Sequence, residues 1–285
     1  MTGPSTPAIH FLSDYGTTDE FVGVVRAVLQ RQAPGTPVID LTHHVPHFDV
    51  AAGAAALVRA APYLGPGVVL AVVDPRVGTA RRGIAVQVGG LSVDPGDKKD
   101  PPSGGPEWWV GPDNGLLVPA VESLGGATAV RVLISKPGST FDGRDVFAPA
   151  AAHLVGGGDP ASLGEEADPG SLVRLPDGPS DHFEGGVLVT SVTHIDSFGN
   201  TQFHAGPEDL GRLKVAVGSR VEVELASGQT VDAKRVEAFG DLGRGEFGLL
   251  VDSNGHLALV LDRSSAADHL GLDGTARAVR LRLSD

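Results

Sequence analysis

The stretch AIHFLSDYGTTDEFVGVVRAVL, residues 8–29, contains the signals of one strand, one turn and one helix. It opens with a short apolar run that is typical of a buried strand and that ends just before Asp14. Thr17 and Glu20 then have the spacing of a capping box, and apolar residues follow at the spacing of one helix face. The stretch therefore predicts a strand from Ala8 to Ser13 and, after a capped turn, a helix.

The same alternation continues through the first half of the chain. The predicted strands are Pro37–Leu41, Gly67–Val73, Ile84–Val88, Trp108–Val110 and Val130–Ile134. The predicted helices run from a cap at Asp49 to Arg59, from Leu116 onward, and from Asp145 to Leu154. Strands that alternate with helices and lack an exposed polar face indicate an α/β fold, with a mostly parallel sheet flanked by helices on both faces.

The pattern changes after the polar stretch at residues 176–186. Strands dominate there, and they are predicted at Val187–Ile195, Arg220–Leu225, Thr230–Glu237, Phe247–Val251, Leu257–Leu261 and Ala276–Leu283, with a helix near Ser265–Leu270. We therefore expect a smaller, β-rich second domain, with the two domains at 1–184 and 185–285. Residues 94–106 are polar and rich in turn formers, so they predict a surface loop, to which we assign no function.

Composition limits the classes of partner. The chain has 285 residues and a formal net charge of −13, which argues against nucleic acid or an anionic membrane as a partner. It has no cysteine, so disulfides, thiolate nucleophiles and iron–sulfur clusters are excluded. No apolar stretch is long enough for a membrane span, and the polar start lacks the features of a signal peptide. The expectation is a soluble, cytoplasmic protein.

Two carboxylates directly follow predicted strands. Asp14 follows the first strand and Asp74 the third, and the carboxyl ends of parallel strands meet at one edge of a sheet. Each residue is either part of a polar site or a cap for the following turn. A carboxylate also suits the two hydroxyls of a ribose, because it accepts two hydrogen bonds. The glycine-rich motifs that bind a dinucleotide or a triphosphate are absent.

Further charged and aromatic residues lie near these carboxylates in the sequence or in turns of the same kind. Thr79 and Arg81 follow Asp74 by five and seven residues. Arg81 either returns to the same pocket, where it would hold an anion or a carboxylate, or lies on the surface. The segment STFDGRD places Phe141 and Asp142 in a turn that opens a helix, a position where charges usually act as caps.

The segment THHVPHF contains three histidines, His43, His44 and His47, in one loop. Without a carboxylate partner the cluster is a weak metal signal, and we expect no metal. Phe48, at the end of the segment, is either a stacking residue for a flat ligand or a core residue.

The second domain contains one comparable segment, HIDSFGN. It places an anion, an aromatic ring and an amide close together, at Asp196, Phe198 and Asn200. The segment is either an ordinary hairpin turn or a site that binds an ammonium group, a ring and the edge of a heterocycle together. The second interpretation would suit an amino-acid nucleoside.

Seven segments carry a resemblance to a known family. They are FLSDYG, DLTHHVPHFDV, VVDPRVGTARR, VGPDNGLL, STFDGRDVFAPAAAHL, IDSFGN and VDSNGHLALV, in the family's order over nearly the whole chain. On these motifs the sequence resembles the S-adenosylmethionine hydrolases, or hydroxide adenosyltransferases, and more distantly the fluorinase and chlorinase. The resemblance implies a doubly wound first domain, a barrel-like second domain, and hydrolysis of S-adenosylmethionine at C5′ to adenosine and methionine.

The resemblance also implies an assembly and roles for residues of the first domain. The assembly is a homotrimer whose active sites lie between the N-terminal domain of one subunit and the C-terminal domain of the next. No cofactor is implied, because S-adenosylmethionine is the substrate. Asp14 would hold the ribose hydroxyls, Phe48 would line the ribose side, and Thr79 would sit beside the nucleophile. Phe141 belongs to the implied substrate-binding set.

In the second domain the implied roles concern the methionine and adenine ends of the substrate. Asp196, with help from Ser253, would bind the methionine ammonium. Asn200 would contact the adenine edge, against the rings of Phe198 and Phe239.

The nucleophile site distinguishes the branches of this family. Halogenating relatives carry a Tyr at the position of Asp74, whereas the hydrolases carry Asp, then Arg seven residues later, then a His where this chain has Asp142. Asp74 and Arg81 therefore favour the hydrolase branch. We expect Asp74 or Asp142 to act as general base on a neutral water, with Arg81 orienting a carboxylate. The alternatives are a binding protein for S-adenosylmethionine or adenosine with a decayed catalytic set, and a halogenase.

Overall fold

The computed structural model describes residues 6–89, 105–135, 138–176, 178, 180–272 and 278–284. The chain forms two compact units, one up to Leu175 and one from Pro176 onward, so the division falls before the predicted boundary near residue 184. Residues 94–104 of the predicted surface loop lie outside the described residues. In the described ranges no helix is both long enough and apolar enough to cross a membrane.

The first unit is built on a seven-stranded sheet with the order β2-β1-β3-β5-β4-β6-β7. The strands are β1 (Ala8–Ser13), β2 (Val38–Thr42), β3 (Gly67–Val72), β4 (Gly83–Val88), β5 (Pro106–Pro112), β6 (Ala127–Leu133) and β7 (Gly164–Ala167). Neighbours among β2, β1, β3 and β5 are parallel, whereas β4, β6 and β7 join antiparallel. The parallel half carries the strand ends at which the site is predicted.

Helices cover both faces of this sheet. They are α1 (Phe21–Gln32), α2 (Val50–Ala60), α3 (Val118–Ser123) and α4 (Ala148–Val155), with 3₁₀ turns at Ala61–Tyr63, Pro160–Leu163 and Pro169–Ser171. Alternate residues of β3 belong to two cores: Val68, Leu70 and Val72 pack with α1 and α4, whereas Val69 and Ala71 pack with α2 and α3. The predicted α/β class is confirmed, and β3 is apolar throughout because both of its faces are buried.

The second unit is a closed β-barrel with one additional strand. Its strands are β8 (His182–Glu184), β9 (Val187–Ile195), β10 (Thr201–Phe203), β11 (Arg220–Leu225), β12 (Thr230–Arg235), β13 (Phe247–Val251), β14 (Leu257–Leu261) and β15 (Ala278–Leu283). The order β10-β14-β13-β12-β11-β15-β9 closes because β10 also pairs with the end of β9, while β8 pairs with its start. Two short helices, α5 (Pro207–Leu213) and α6 (Ala266–Leu270), complete the unit. The barrel-like second domain is confirmed.

The local signals in the opening stretch are only partly confirmed. The capping box predicted at Thr17 and Glu20 is wrong, because Glu20 itself is the cap residue of α1 and makes no side-chain hydrogen bond to the helix. Thr17 Oγ1 instead lies 3.4 Å from His44 Nε2, and the Gly16 N–H donates to the carbonyl of His43 at 2.7 Å. Contacts with the loop after β2 therefore fix this turn.

Candidate active site

Two aspartates lie at the carboxyl end of the parallel half of the sheet. β1 and β3 are neighbours in register, with Ser13 beside Val72, so the chain leaves both strands at the same edge. Asp14 and Asp74 follow there, and both line a cavity of about 260 Å³. The other residues around the cavity come from β3, from the start of α1, from the loops after β1, β2 and β3, and from the turn before α4. They are Tyr15, Asp19, Phe21, His47, Phe48, Val72, Val77, Thr140, Phe141, Asp142 and Gly143.

Asp14 shapes the rim of the cavity through a backbone contact. Its carboxylate is buried, and Oδ2 accepts a hydrogen bond from the Phe48 N–H at 2.9 Å. Phe48 has a φ of +67°, a conformation that is costly for a residue with a side chain. Its ring is 68% exposed, so Phe48 is a residue of the cavity wall and not of the core.

Arg81 joins two of the carboxylates that line the cavity, those of Asp74 and Asp142. Its Nε donates to Asp74 Oδ1 at 3.2 Å and its Nη2 donates to Asp74 Oδ2, which is a fork-like contact with both oxygens. The same Nη2 donates to Asp142 Oδ2 at 2.7 Å. The Arg81 and Asp74 side chains are 4% and 5% exposed, and that of Asp142 is 15% exposed. Arg81 is therefore a buried residue that binds two carboxylates of the cavity lining, and it does not lie on the surface.

The turn between Asp74 and Arg81 places the guanidinium. The Asp74 carboxylate accepts from the Arg76 N–H at 3.3 Å, and the Thr79 hydroxyl donates to the Arg76 carbonyl at 2.7 Å. Thr79 Oγ1 also accepts from the Arg81 N–H at 3.3 Å. Gly78 permits this closed turn with a φ of +75°. Thr79 acts here on the backbone beneath the cavity, and its side chain is not among those that line it.

The charges of this cluster oppose one another. Burial raises the pKa of Asp74 above its ordinary value, and the nearby charge of Asp142 raises it further, while Arg81 acts in the opposite direction. Two carboxylates on one guanidinium have a formal charge of −1. A cationic ligand is favoured by this charge, whereas an anion such as a halide is repelled.

An aromatic cluster closes one side of the cavity. The rings of Tyr15 and Phe141 meet edge to face at a centroid distance of 5.6 Å, and those of Phe21 and Phe141 at 5.2 Å. Tyr15 and Phe21 were not among the residues predicted for the site. Tyr15 directly follows Asp14 in the FLSDYG motif, and this position is the sequence signal that could have identified it.

A second ion pair, between the partly exposed Arg82 and the buried Asp113, lies next to the first in sequence but away from the cavity. Arg82 Nε donates to Asp113 Oδ2 at 2.8 Å, and its Nη2 donates to the Ser171 carbonyl at 2.7 Å. Asn114, the next residue of the PDNG motif, donates through Nδ2 to the carbonyl of Val73 at 2.9 Å. This motif therefore connects loops of the first unit and supports the end of β3.

The three histidines serve different contacts. His43 is buried, its Nδ1 lies 2.8 Å from Ser13 Oγ, and burial lowers its pKa. His44 contacts Thr17, while His47 lines the cavity. Over the part of the chain that the structure describes, no group of three or more His, Asp or Glu residues is arranged to hold a metal.

In the second unit, Asp196 organises a hairpin turn between β9 and β10. Its Oδ1 accepts from the Phe198 and Asn200 N–H groups, both at 2.9 Å, and its Oδ2 accepts from Asn200 Nδ2 at 2.8 Å. The turn exposes the Phe198 ring, of which 77% is accessible, and Phe239 is half exposed elsewhere in the unit.

The turn between β13 and β14 repeats this pattern. Asp252 Oδ1 accepts from the Asn254 N–H at 2.9 Å and from the His256 N–H at 3.0 Å, and Ser253 lies exposed in the turn. Because β10 and β14 are antiparallel, the turns that precede them lie at opposite ends of this strand pair. Joint binding of one ammonium group by Asp196 and Ser253 stays a prediction.

Comparison with known protein families identifies both units. The model of the SAM hydroxide adenosyltransferase N-terminal domain matches residues 9–97 and 103–164, and that of the C-terminal domain matches residues 190–278. The chain belongs to the SAM hydroxide adenosyltransferase family.

Relatives of this SAM hydroxide adenosyltransferase family member carry two different names. The chain is 42% identical to a protein of Salinispora tropica named (R)-S-adenosyl-L-methionine hydrolase, over 94% of this chain and 95% of that protein. It is 28% identical to a protein of an Actinoplanes species named fluorinase, over 94% and 95% of the two chains. A crystal structure of an uncharacterized conserved protein from Thermotoga maritima matches with a TM-score of 0.82 and 30% identity, over 96% and 99% of the chains.

Proposed function

We propose that the protein hydrolyses S-adenosyl-L-methionine, in the (R) form, to adenosine and methionine. The observation that carries the proposal is the buried Arg81 clamp, which holds Asp74 and Asp142 at the cavity floor. The similarity to the named hydrolase of Salinispora tropica supports the same reaction and the same form of the substrate.

The reaction is a displacement at a saturated carbon. The oxygen of a water molecule bonds to C5′ of the ribose as the C5′–S bond breaks, and the electron pair of that bond stays on sulfur. The sulfonium thereby becomes the neutral thioether of methionine, and one proton of the water passes to a carboxylate. Nothing is oxidised or reduced, and the sulfonium is already a good leaving group, so the protein must align the water and accept its proton.

We assign the proton to Asp142. Asp74 uses both oxygens for Arg81 and also accepts from the Arg76 backbone, and only 5% of its side chain is exposed. Asp142 accepts a single hydrogen bond from Arg81, on Oδ2, and is the more exposed carboxylate. Asp142 thus has unused lone pairs at the cavity, while Asp74 fixes the position of Arg81.

The remaining roles divide the substrate between the two units. In the first unit, Asp14 binds the ribose hydroxyls through Oδ1, the oxygen that does not accept from the Phe48 N–H. Phe48 and Phe141 enclose the ribose side, and Thr79 holds the turn that carries Arg81. These assignments are supported by the contacts of Asp14 and Thr79 and by the place of both rings in the cavity wall.

In the second unit, Asp196 and Ser253 bind the methionine ammonium, Asn200 binds the adenine edge, and Phe198 and Phe239 stack against the adenine. The exposed rings of Phe198 and Phe239 support the stacking roles. We further propose that the protein forms a homotrimer with active sites between subunits and that it uses no cofactor. We also propose a cytoplasmic location, which the absence of cysteine supports.

The direct test is incubation with (R)-S-adenosyl-L-methionine followed by chromatography for adenosine and methionine. We expect equimolar products, and no 5′-halo-adenosine when chloride or fluoride is added. Binding of the substrate without products would instead support a binding protein with a decayed catalytic set, and a halogenated nucleoside would support a halogenase.

Two neighbouring arginines provide a matched pair of variants. Arg81→Lys loses the fork-like contact, so we expect kcat to fall on the order of a hundred-fold. Arg82→Lys weakens the contact of the partly exposed Arg82 with the buried Asp113 outside the cavity, so it should lower the melting temperature and leave kcat close to wild type. Equal losses of kcat in both variants would mean that the Arg81 clamp acts through stability alone.

A further inference from the structure

The cavity contains many acceptors for a water molecule and few donors. The carboxylates of Asp14, Asp74 and Asp142 accept hydrogen bonds. The N–H groups of Arg81 already donate to two of these carboxylates, those of Asp74 and Asp142. An attacking water uses one lone pair for C5′ and both O–H groups as donors, so its second lone pair needs a donor from the protein. The side chains that line the cavity and can donate are those of Tyr15, Thr140 and His47.

The Tyr15 hydroxyl lies in the cavity beside the turn that carries Asp142. A β-carbon built on Gly143 would be 2.2 Å from this oxygen, so the hydroxyl abuts the residue next to Asp142. Within the described residues only the backbone nitrogen of Tyr15 forms a hydrogen bond, to Ser13 Oγ, and the hydroxyl forms none. The contacts of its ring with Phe21 and Phe141 hold this orientation.

The surrounding charges keep this hydroxyl protonated. Burial raises the pKa of Tyr15, and the charges of Asp14, Asp74 and Asp142 raise it further. Tyr15 lines the same cavity as these three carboxylates, and their charges favour its neutral form. A neutral phenol in that place is a permanent donor at neutral pH.

We propose that the Tyr15 hydroxyl donates a hydrogen bond to the attacking water, and after reaction to the 5′-oxygen of adenosine. This inference rests on the proposed hydrolysis, because the 5′-oxygen of the product is the oxygen of that water. Tyr15 supplies the donor that the set of Asp74, Arg81 and Asp142 lacks, and it makes the site select a ligand with an oxygen at C5′.

The test compares adenosine with 5′-deoxyadenosine, which lacks that oxygen, by calorimetric titration of the full-length protein. The variants are Tyr15→Phe, Thr140→Val, which removes the other hydroxyl in the cavity wall, and Tyr63→Phe, which removes the other phenol from an exposed position. In Tyr15→Phe we expect the preference for adenosine over 5′-deoxyadenosine to fall about five-fold, the value of one hydrogen bond. We also expect kcat for S-adenosylmethionine to fall about ten-fold with KM nearly unchanged, because the hydroxyl contacts the water and not the substrate.

Several results would overturn the assignment. They are an unchanged preference in Tyr15→Phe, the same loss of preference in Thr140→Val or Tyr63→Phe, and failure of the wild type to bind either nucleoside. Melting temperatures show whether each variant is folded. If the wild type releases no adenosine from S-adenosylmethionine but Tyr15→Phe still loses the preference, hydrolysis is disproved and the contact of Tyr15 with a 5′-oxygen stands.

Discussion

Asp74 and Asp142 are coupled because both accept hydrogen bonds from the same nitrogen of Arg81. Burial and the charge of Asp142 raise the pKa of Asp74, while the Arg81 guanidinium acts against this shift. A proton on Asp74 removes the negative charge that faces Arg81, so it weakens the contact that holds the guanidinium in place.

The pH dependence of turnover follows from the raised pKa of Asp74. We expect kcat to fall as the pH is lowered through the raised pKa of Asp74, at a pH above the ordinary aspartate value of 3.8. The measurement is kcat at saturating substrate as a function of pH, with circular dichroism at each pH to show that the protein stays folded. A rate that remains constant down to the ordinary aspartate value would show that turnover does not depend on the charge of Asp74.

Asp142→His introduces the residue that the resemblance to the hydrolases implies for this position. An imidazole is also a general base, and its ordinary pKa is about 6.5. We therefore expect turnover to be preserved or raised, and the acid limb of the kcat profile to move to higher pH than in the wild type. Complete loss of turnover in a folded variant would assign to Asp142 a role other than proton acceptance.

At the level of elements, the π-helical turn Gly143–Phe147 connects the site to α4. It presents Asp142 at its start and brings a glycine against the aromatic cluster. A side chain at Gly143 would approach the Tyr15 hydroxyl and also lie 3.2 Å from the Phe141 ring. The turn therefore fixes the distance between the general base and the aromatic wall.

Gly143→Ala tests this role of the turn. The added methyl group must displace Tyr15 or the turn, and we expect kcat to fall on the order of ten-fold or more. Gly23→Ala in α1 is the control, because nothing lies within 4 Å of the added carbon, and it should raise stability by about 1 kcal/mol without loss of activity. Wild-type kcat in Gly143→Ala would show that the packing of Tyr15 on the turn is not needed.

The elements also show how far sequence reasoning reaches. β1 and β9 begin and end as predicted, because apolar β-branched runs between turn formers are a strong local signal. β10 and α5 were not predicted. The 3 residues of β10 and the 7 residues of α5 are too few to show a periodic pattern of apolar residues. The capping box failed because a contact between distant loops outweighed a local pattern.

The same distinction applies within the site. The contact between Asp74 and Arg81 lies inside one turn, and the spacing of the two residues allowed it without deciding between this contact and a surface position for Arg81. Tyr15 and Gly143 are far apart in the sequence, and only the fold of the first unit brings them into contact. Long-range pairs of this kind leave no trace in the spacing of a single sequence.

At the scale of the whole molecule, the proposed site residues are distributed over two units. The first unit carries the reacting groups, Asp74, Arg81 and Asp142, and the second carries the exposed rings of Phe198 and Phe239. In the proposed trimer each site takes its first unit from one subunit and its second unit from the next. A variant with a defective first unit and a variant with a defective second unit should therefore regain activity when they assemble into one trimer.

The test co-expresses Asp142→Asn with Phe198→Ala/Phe239→Ala under two affinity tags and purifies assemblies that carry both. In a cyclic trimer with either mixture, one interface joins an intact first unit to an intact second unit, so we expect about a third of wild-type activity from two nearly inactive parents. Light scattering verifies the trimer, and wild type co-expressed under the same two tags is the control. If mixed trimers are as inactive as their parents, each site is formed within one subunit, and if the tags do not co-purify, the protein does not form the proposed assembly.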